Sequence, residues 1–239
     1  MATLVEEISD LKTQAKNRRD LKRYERAVSI LNKAISLAEK NIEIHELRRQ
    51  LAEELADCYG LLGGVQRRWA LDKDYCNERD LHLCESIRAD DNAWKYESGD
   101  YGVVNSYGML NRLISRLLYA PDSLFTKAVT SFGDNVAPLN VRVELEKAYE
   151  AIEAQLAQPR RDDYWAMADL ALVTVLLDKG DPISAYAAFV AKSPPDYAYK
   201  SVTDVLGPLA ELEWPVAPAL KIAIQYVEAR FKRFSAYDL

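Results

Sequence analysis

The chain has few of the residues that interrupt regular structure, with nine glycines and nine prolines among its 239 residues. It lacks an apolar run of the roughly eighteen residues that a membrane span requires. Its net charge of −6 gives no general excess of positive charge, so the totals do not indicate a nucleic-acid-binding protein. The first residues, MATLVEEISDLKTQ, are amphipathic and carry acids early, which is untypical of a signal peptide.

Cysteine and histidine are too few, and too poorly spaced, for the common metal and nucleophile motifs. Cys58, Cys76 and Cys84 form no C-x-x-C pair, and their odd number predicts free thiols and a reducing, cytoplasmic location. His45 lacks the second histidine of an H-E-x-x-H motif. His82 lies two residues from Cys84, a spacing that turns the two side chains apart on a helix. We therefore expect no metal, no cofactor and no catalytic residue.

Apolar residues recur with the period of a helix along most of the chain, and no segment alternates as a half-buried strand does. Breaks such as SGDYG (98–102), FGDNVAP (132–138) and KSPPD (192–196) separate these segments. The pattern predicts an all-α protein of about ten helices. Its apolar stripes include Ala27, Leu31, Ala34, Ile35 and Ala38; Leu47, Leu51, Leu55, Cys58, Tyr59 and Leu62; Val141, Leu145, Ala148, Ile152 and Leu156; Trp165, Ala168, Leu172 and Leu176; and Val216, Leu220, Ala223, Val227 and Phe231.

Three glycines stand close together in LADCYGLLGG (55–64), which raises the alternatives of a phosphate-binding loop and a helix corner. The order G-x-x-G-G matches neither G-x-G-x-x-G nor the P-loop, and no strand precedes it, so we favour the corner. Gly63 is then expected where one helix turns into the next, ahead of an irregular stretch over residues 63–80. Gly60 lies inside an apolar stripe, where we expect it to admit a neighbouring helix.

The same stretch resembles a tetratricopeptide repeat, whose pattern of small and large residues packs two antiparallel helices closely. Leu55, Ala56 and Tyr59 reproduce its L-G-x2-Y spacing, and Ala185 and Phe189 reproduce A-x3-F. The family's tryptophan slot holds an alanine here, and the 63–80 stretch breaks the 34-residue period. The resemblance implies a right-handed array of helix pairs near 8–41, 49–91, 101–157 and 162–192, capped by helices over 197–235, in a single domain.

A narrower stretch resembles the repeat region of apoptosis signal-regulating kinases and its bacterial relatives. YGLLGGVQRRW, then DLHLCESIRADDNAWKYES, then YGVVNSYGMLNRLI repeat that region's order of a glycine turn, a helix and a tyrosine-glycine start. This similarity implies a regulatory module in stress or defence signalling, with a kinase or a caspase-like peptidase as partner; the kinase region binds TRAF adaptors. The positions that carry it are Leu61, Leu62, Gly63, Tyr101, Gly102 and Asn105.

Charge is concentrated in KTQAKNRRDLKRYER (12–26), where seven basic residues stand against two acids. Such a run is commonly a solvated helix face, yet its spacing also permits a basic stripe along one side of the first helix. Extrapolating the repeat register places this stripe in the concave groove, with an acidic stripe further along. The candidate partner-binding residues are Lys12, Lys16, Arg19, Gln50, Glu53 and Asp57.

These features favour a non-enzymatic interaction or regulatory subunit that binds another protein or a charged peptide through a helical groove. The alternative is an RNA- or nucleotide-binding effector that uses the basic N-terminal helix. The sequence favours it less, because no aromatic platform accompanies the basic run.

Overall fold

A computed structural model describes residues 3–101, 107–158 and 160–235 of the chain. This described part contains ten α-helices and two short 3-10 helices, and its residues form no strand beyond a single β-bridge between Thr130 and Leu139. The all-α fold is therefore confirmed. None of these helices combines the length and apolarity needed to cross a membrane.

The chain divides into two compact units. The N-terminal unit comprises Met1–Tyr119 and Ser131–Pro138, and the C-terminal unit comprises Ala120–Thr130 and Leu139–Leu239. The helix pair expected over residues 101–157 is shared between them, because its first helix lies in the N-terminal unit and its second in the C-terminal unit.

Five helices build the N-terminal unit, and each packs against the next along the chain. The first helix also contacts the third, and the third contacts the fifth. The predicted stripe of alanine and leucine on the second helix is buried as expected. These helices are α1 (Leu4–Asp20), α2 (Tyr24–Asn41), α3 (Arg48–Leu71), α4 (Cys76–Ser98) and α5 (Tyr107–Tyr119).

Five further helices build the C-terminal unit. The sixth packs on the seventh and the seventh on the eighth, while the tenth contacts both the eighth and the ninth. Asp163 and Asp181 start two of them by accepting hydrogen bonds from first-turn amides, which is the usual role of Asp at a helix start. These helices are α6 (Val141–Ala157), α7 (Tyr164–Leu176), α8 (Pro182–Ala191), α9 (Asp196–Ala210) and α10 (Ala217–Ser235).

The glycine corner predicted at Gly63 is wrong. Helix α3 continues through all three glycines of the LADCYGLLGG stretch and ends at Leu71, so the turn to α4 lies at residues 72–75. A glycine inside a helix costs only about 1 kcal/mol relative to alanine. Val65 and Ala70 are buried beyond the glycines, and packing of this kind offsets that cost.

The role assigned to Gly60 is also wrong, because nothing lies within 4 Å of the position that a β-carbon would take there. The close approach occurs at Gly63 instead, against Asp90 of α4. Two of the positions that carry the kinase-region resemblance, Gly102 and Asn105, lie outside the described residues. The tetratricopeptide type of stacking stays a prediction.

Candidate functional site

An open cleft of about 540 Å³ lies in the N-terminal unit, where the turn between α1 and α2 meets the last turns of α3. We call it the α2 cleft, because five of its six lining residues belong to the start of α2 or to the turn just before it. The lining residues are Lys22, Arg23, Tyr24, Glu25, Arg26 and Trp69.

The backbone of the α1–α2 turn brings these side chains together. Lys22 adopts a left-handed conformation with φ of 54°, and its amide donates to the carbonyl of Arg19 at 2.8 Å. The chain therefore reverses within a few residues, and α2 begins at Tyr24. Arg23 is the residue before the first turn of α2, and its side chain makes no capping hydrogen bond. The start of α2 thus carries the partial positive charge of a helix N-terminus without a side-chain cap.

Asp72 ties the turn to the end of α3. Its carboxylate accepts from the hydroxyl of Tyr24 at 2.7 Å and lies 3.0 Å from the ammonium of Lys22. Burial alone would raise the pKa of Asp72, but the hydrogen bonds from Tyr24 and Lys22 outweigh it and hold the pKa below its usual value. Burial, reinforced by Asp72, raises the pKa of Tyr24 to about 12. The phenol therefore remains protonated at neutral pH, where it can donate this hydrogen bond.

Arg23 and Arg26 differ from Lys22 in having no acidic partner. Both are exposed, and neither forms an ion pair with any residue in the described part of the chain. Glu25 is the one acid among the lining residues. The α2 cleft therefore presents two uncompensated guanidinium groups beside an uncapped helix start.

Trp69 forms the aromatic side of the cleft. Its ring stacks on Tyr24, with centroids 6.0 Å apart, and on His82 of α4, with centroids 4.0 Å apart. Nδ1 of His82 is 2.8 Å from Oε1 of Gln66. Burial, helped by the charge of Lys73, lowers the pKa of His82, so the imidazole is neutral at pH 7. The rings of Tyr24 and His82 therefore fix the position of Trp69 through contacts within the unit.

One basic and one acidic residue of the predicted binding groove, Lys12 and Asp57, pair with each other in the structure. The ammonium of Lys12 lies 2.6 Å from Glu54 and 3.1 Å from Asp57, and its side chain is only 12% exposed. Burial alone would lower the pKa of Lys12, but these two carboxylates outweigh it and raise the pKa. Lys12 therefore does not lie on a solvated helix face, because α1 packs on α3 at this position.

The remaining predicted residues do not join this pair. Arg19 pairs with its neighbour Asp20 at 2.8 Å, and Glu53 pairs with Arg49 at 3.0 Å. Lys16 and Gln50 are exposed. Among the six predicted residues, Lys12 and Asp57 are thus the two that form an ion pair with each other, and partner binding by any of them stays a prediction.

Sequence reasoning named Arg23 and Arg26 as part of a basic run but did not place Trp69 beside them. It assigned residues 63–80 to an irregular stretch, which removed Trp69 from its helix. The sequence did contain a signal that the helix continues to Trp69. Val65 and Trp69 stand four residues apart, which is the apolar spacing of one helical face.

No group of three or more His, Cys, Asp or Glu side chains suited to a metal ion occurs among the described residues. The scan against protein-family models and the searches of curated proteins and of solved structures found no match.

Proposed function

We propose that this protein is a non-catalytic interaction module that binds an acidic segment of a partner protein in the α2 cleft. The observation that supports the proposal most is the pair of exposed, unpaired guanidinium groups of Arg23 and Arg26. Three other basic residues of the same run, Lys12, Arg19 and Lys22, already form ion pairs within the unit.

An acidic ligand fits the chemistry of the cleft for two reasons. Guanidinium groups form paired, charge-assisted hydrogen bonds with carboxylates, which are among the stronger contacts in protein recognition. The uncapped start of α2 adds a favourable field for a negative group. The chain as a whole is negative, so this concentration of positive charge would orient an acidic partner as well as hold it.

A protein segment is favoured over single-stranded RNA because of the state of Trp69. RNA-binding grooves without sequence preference combine positive charge with aromatic rings on which bases stack. Trp69 already stacks on Tyr24 and His82, which engages it in contacts within the protein. The resemblance to signalling kinases adds the proposal that the partner is a signalling kinase or peptidase, and RNA binding remains the alternative.

Fluorescence anisotropy with two labelled probes of equal length distinguishes these functions. A hexaglutamate peptide and a hexauridine RNA are titrated separately with the full chain at low and moderate salt. We expect saturable binding of the peptide that weakens as salt rises, since screening reduces contacts between exposed charges. Binding of the RNA at least as tight as that of the peptide would support the alternative function instead.

A further inference from the structure

Two exposed leucines lie beside the α2 cleft. Leu21 comes directly before Lys22, which lines the cleft, and 61% of this leucine is exposed. Leu71 is the last residue of α3, two positions after the cleft residue Trp69, and 37% of it is exposed. We call this pair of leucines the leucine rim.

Contacts between the α1–α2 turn and the end of α3 bring the two leucines to one place. Directly before the first leucine, the carboxylate of Asp20 lies 3.9 Å from the guanidinium of Arg68. Directly after it, the ammonium of Lys22 lies 3.0 Å from Asp72, the residue that follows the second leucine. The leucine rim therefore belongs to a single junction of the unit, and this junction borders the α2 cleft.

Two further exposed apolar side chains stand at the start of α4, which meets the same end of α3. Tyr75, directly before α4, is 74% exposed, and Leu81 is 56% exposed beside His82, whose ring stacks on Trp69. Ile44 is the other large hydrophobic side chain exposed in the described part of this unit, and it lies beyond the far end of α2. Single exposed apolar residues are common, whereas several gathered at one place mark an interaction surface.

We infer that the acidic segment bound in the α2 cleft carries a large aliphatic side chain next to its acids, and that this side chain packs on the leucine rim. This inference rests on the proposed function of the cleft. The carboxylates of the segment pair with Arg23 and Arg26, and its aliphatic side chain removes the apolar surface of Leu21 and Leu71 from water. The apolar contact adds affinity, while the charges orient the segment.

The charges around the leucine rim favour a protein segment over an anionic membrane surface. Asp72 and Asp74 are exposed directly after Leu71, and Glu25 lines the cleft. A flat layer of anionic headgroups that covered the leucines would also face these carboxylates. A single segment can place its acids on the arginines and its aliphatic side chain on the leucines, and a segment of acids alone would leave the leucines in water.

Fluorescence anisotropy with two matched heptapeptides tests the inference on the full chain. One peptide has a leucine between two triplets of glutamate, and the other has a serine in place of the leucine, so length and charge are equal. We expect the leucine peptide to bind about fivefold tighter, because its central side chain leaves water on binding. Rising salt should weaken both peptides but preserve the ratio of their affinities, since salt screens charges and not apolar contacts.

Substitutions in the leucine rim separate the apolar contact from the charge contact. Leu21→Gln with Leu71→Gln should abolish the advantage of the leucine peptide and leave the affinity of the serine peptide unchanged. The unchanged affinity of the serine peptide also shows that the variant is folded. The control is Ile44→Gln, which changes an exposed aliphatic side chain beyond the far end of α2, a helix about 27 Å long, and should keep the advantage.

The outcomes that would overturn the inference differ in what they mean for the proposed function. Equal affinity of the two peptides would leave acidic-segment binding intact and exclude the leucine rim from it. An advantage that survives in the double variant would show that the leucine of the peptide packs elsewhere. If neither peptide binds, the proposed function and the inference both fail. Binding to phosphatidylserine vesicles that the double variant loses, without any advantage of the leucine peptide, would assign the rim to a membrane surface instead.

Discussion

Oδ1 of Asp90 occupies the space that a side chain at Gly63 would need. A β-carbon at Gly63 would lie 2.1 Å from this oxygen, far inside any normal contact. Around the pair, the hydroxyl of Ser86 donates to the carbonyl of Gly63 at 2.8 Å, and that of Ser115 donates to Asp90 at 3.1 Å. The guanidinium of Arg67 lies 3.5 Å from the same carboxylate. Side chains of α3, α4 and α5 thus form one buried polar network. Asp90 of α4 can approach α3 this closely only because residue 63 is a glycine.

Replacing Gly63 by alanine should destabilise the protein. Overpacking of a tight interior costs about 1–3 kcal/mol, and here the added methyl group meets a fully buried carboxylate. Gly60→Ala and Gly64→Ala are matched controls in the same helix, because nothing lies within 4 Å of either added β-carbon. Each control should raise stability by about 0.5–1 kcal/mol, the usual gain of alanine over glycine in a helix. Urea unfolding followed by circular dichroism measures all three, and equal effects would contradict the role of Gly63.

The stability of the protein should fall as pH rises from about 4 to 7 through the titration of two buried acids. Burial raises the pKa of Asp90 to about 7 despite Arg67 and Ser115, and it raises the pKa of Glu97 to about 7 despite the backbone amide of Gly108. In this window the folded state binds more protons than the unfolded state, so the free energy of unfolding decreases with rising pH. Above the pKa values that Asp90 and Glu97 have in the folded state, these two acids no longer make the free energy of unfolding depend on pH.

Substitutions at Asp90 and Glu97 separate the contribution of these two acids to the pH dependence from that of other titrating groups. His82, whose pKa is lowered, contributes with the opposite sign in part of the same window. Glu97→Gln and Asp90→Asn each remove one raised pKa, so the free energy of unfolding should change less between pH 4.5 and 7.5 in each variant. The measurement is a series of urea transitions across that range. If the free energy of unfolding changes with pH by the same amount in the wild type and both variants, neither acid titrates between pH 4.5 and 7.5.

Lys12 should matter for stability and Lys16 should not. Lys12→Glu places a negative charge beside Glu54 and Asp57, which should lower the free energy of unfolding by about 1–3 kcal/mol. Lys16→Glu makes the same change of charge at an exposed position of the same helix and should change stability by under about 0.5 kcal/mol. Adding Glu54→Lys to Lys12→Glu should recover part of the loss. Equal melting temperatures for both single variants would contradict the ion pair.

The three cysteines should differ in reactivity. All are free thiols; Cys76 is exposed, while Cys58 and Cys84 are buried. Burial raises the pKa of Cys58 to about 12 and also raises that of Cys84, so both lack the reactive thiolate at neutral pH. Brief alkylation of the native protein should label Cys76 alone, and alkylation of the denatured protein without reductant should label three sites. Mass spectrometry counts the labels, and early labelling of Cys58 would contradict its burial.

Much of the fold could be predicted from local spacing, because a helix buries one face at a fixed period. The stripe from Ala27 to Ala38 and the one containing Leu51, Leu55 and Cys58 are buried as this reasoning requires. The end of α3 could not be predicted in the same way. The local sequence around Gly63 predicts a helix corner. The actual role of this glycine depends on Asp90, which lies 27 positions further along the chain.

The candidate site was harder to predict, because it depends on contacts between distant segments. Lys12 and Asp57 were assigned to a common groove, but the register of α1 on α3 decides whether they face a partner or each other. Arg23 and Trp69 line one cleft only because the α1–α2 turn meets the end of α3. The helical period of apolar residues does not indicate which distant segments pack together.

The affinity of the hexaglutamate probe for charge-reversal variants tests the central claim most directly. Arg23→Glu with Arg26→Glu alters the α2 cleft, and Lys33→Glu with Lys40→Glu makes the same change of charge further along α2, at exposed positions outside the cleft. We predict that the first pair weakens binding about tenfold or more, equivalent to about 1.4 kcal/mol, and the second pair less than about threefold. Equal loss in both pairs, or unchanged affinity in the first, would contradict binding at the α2 cleft.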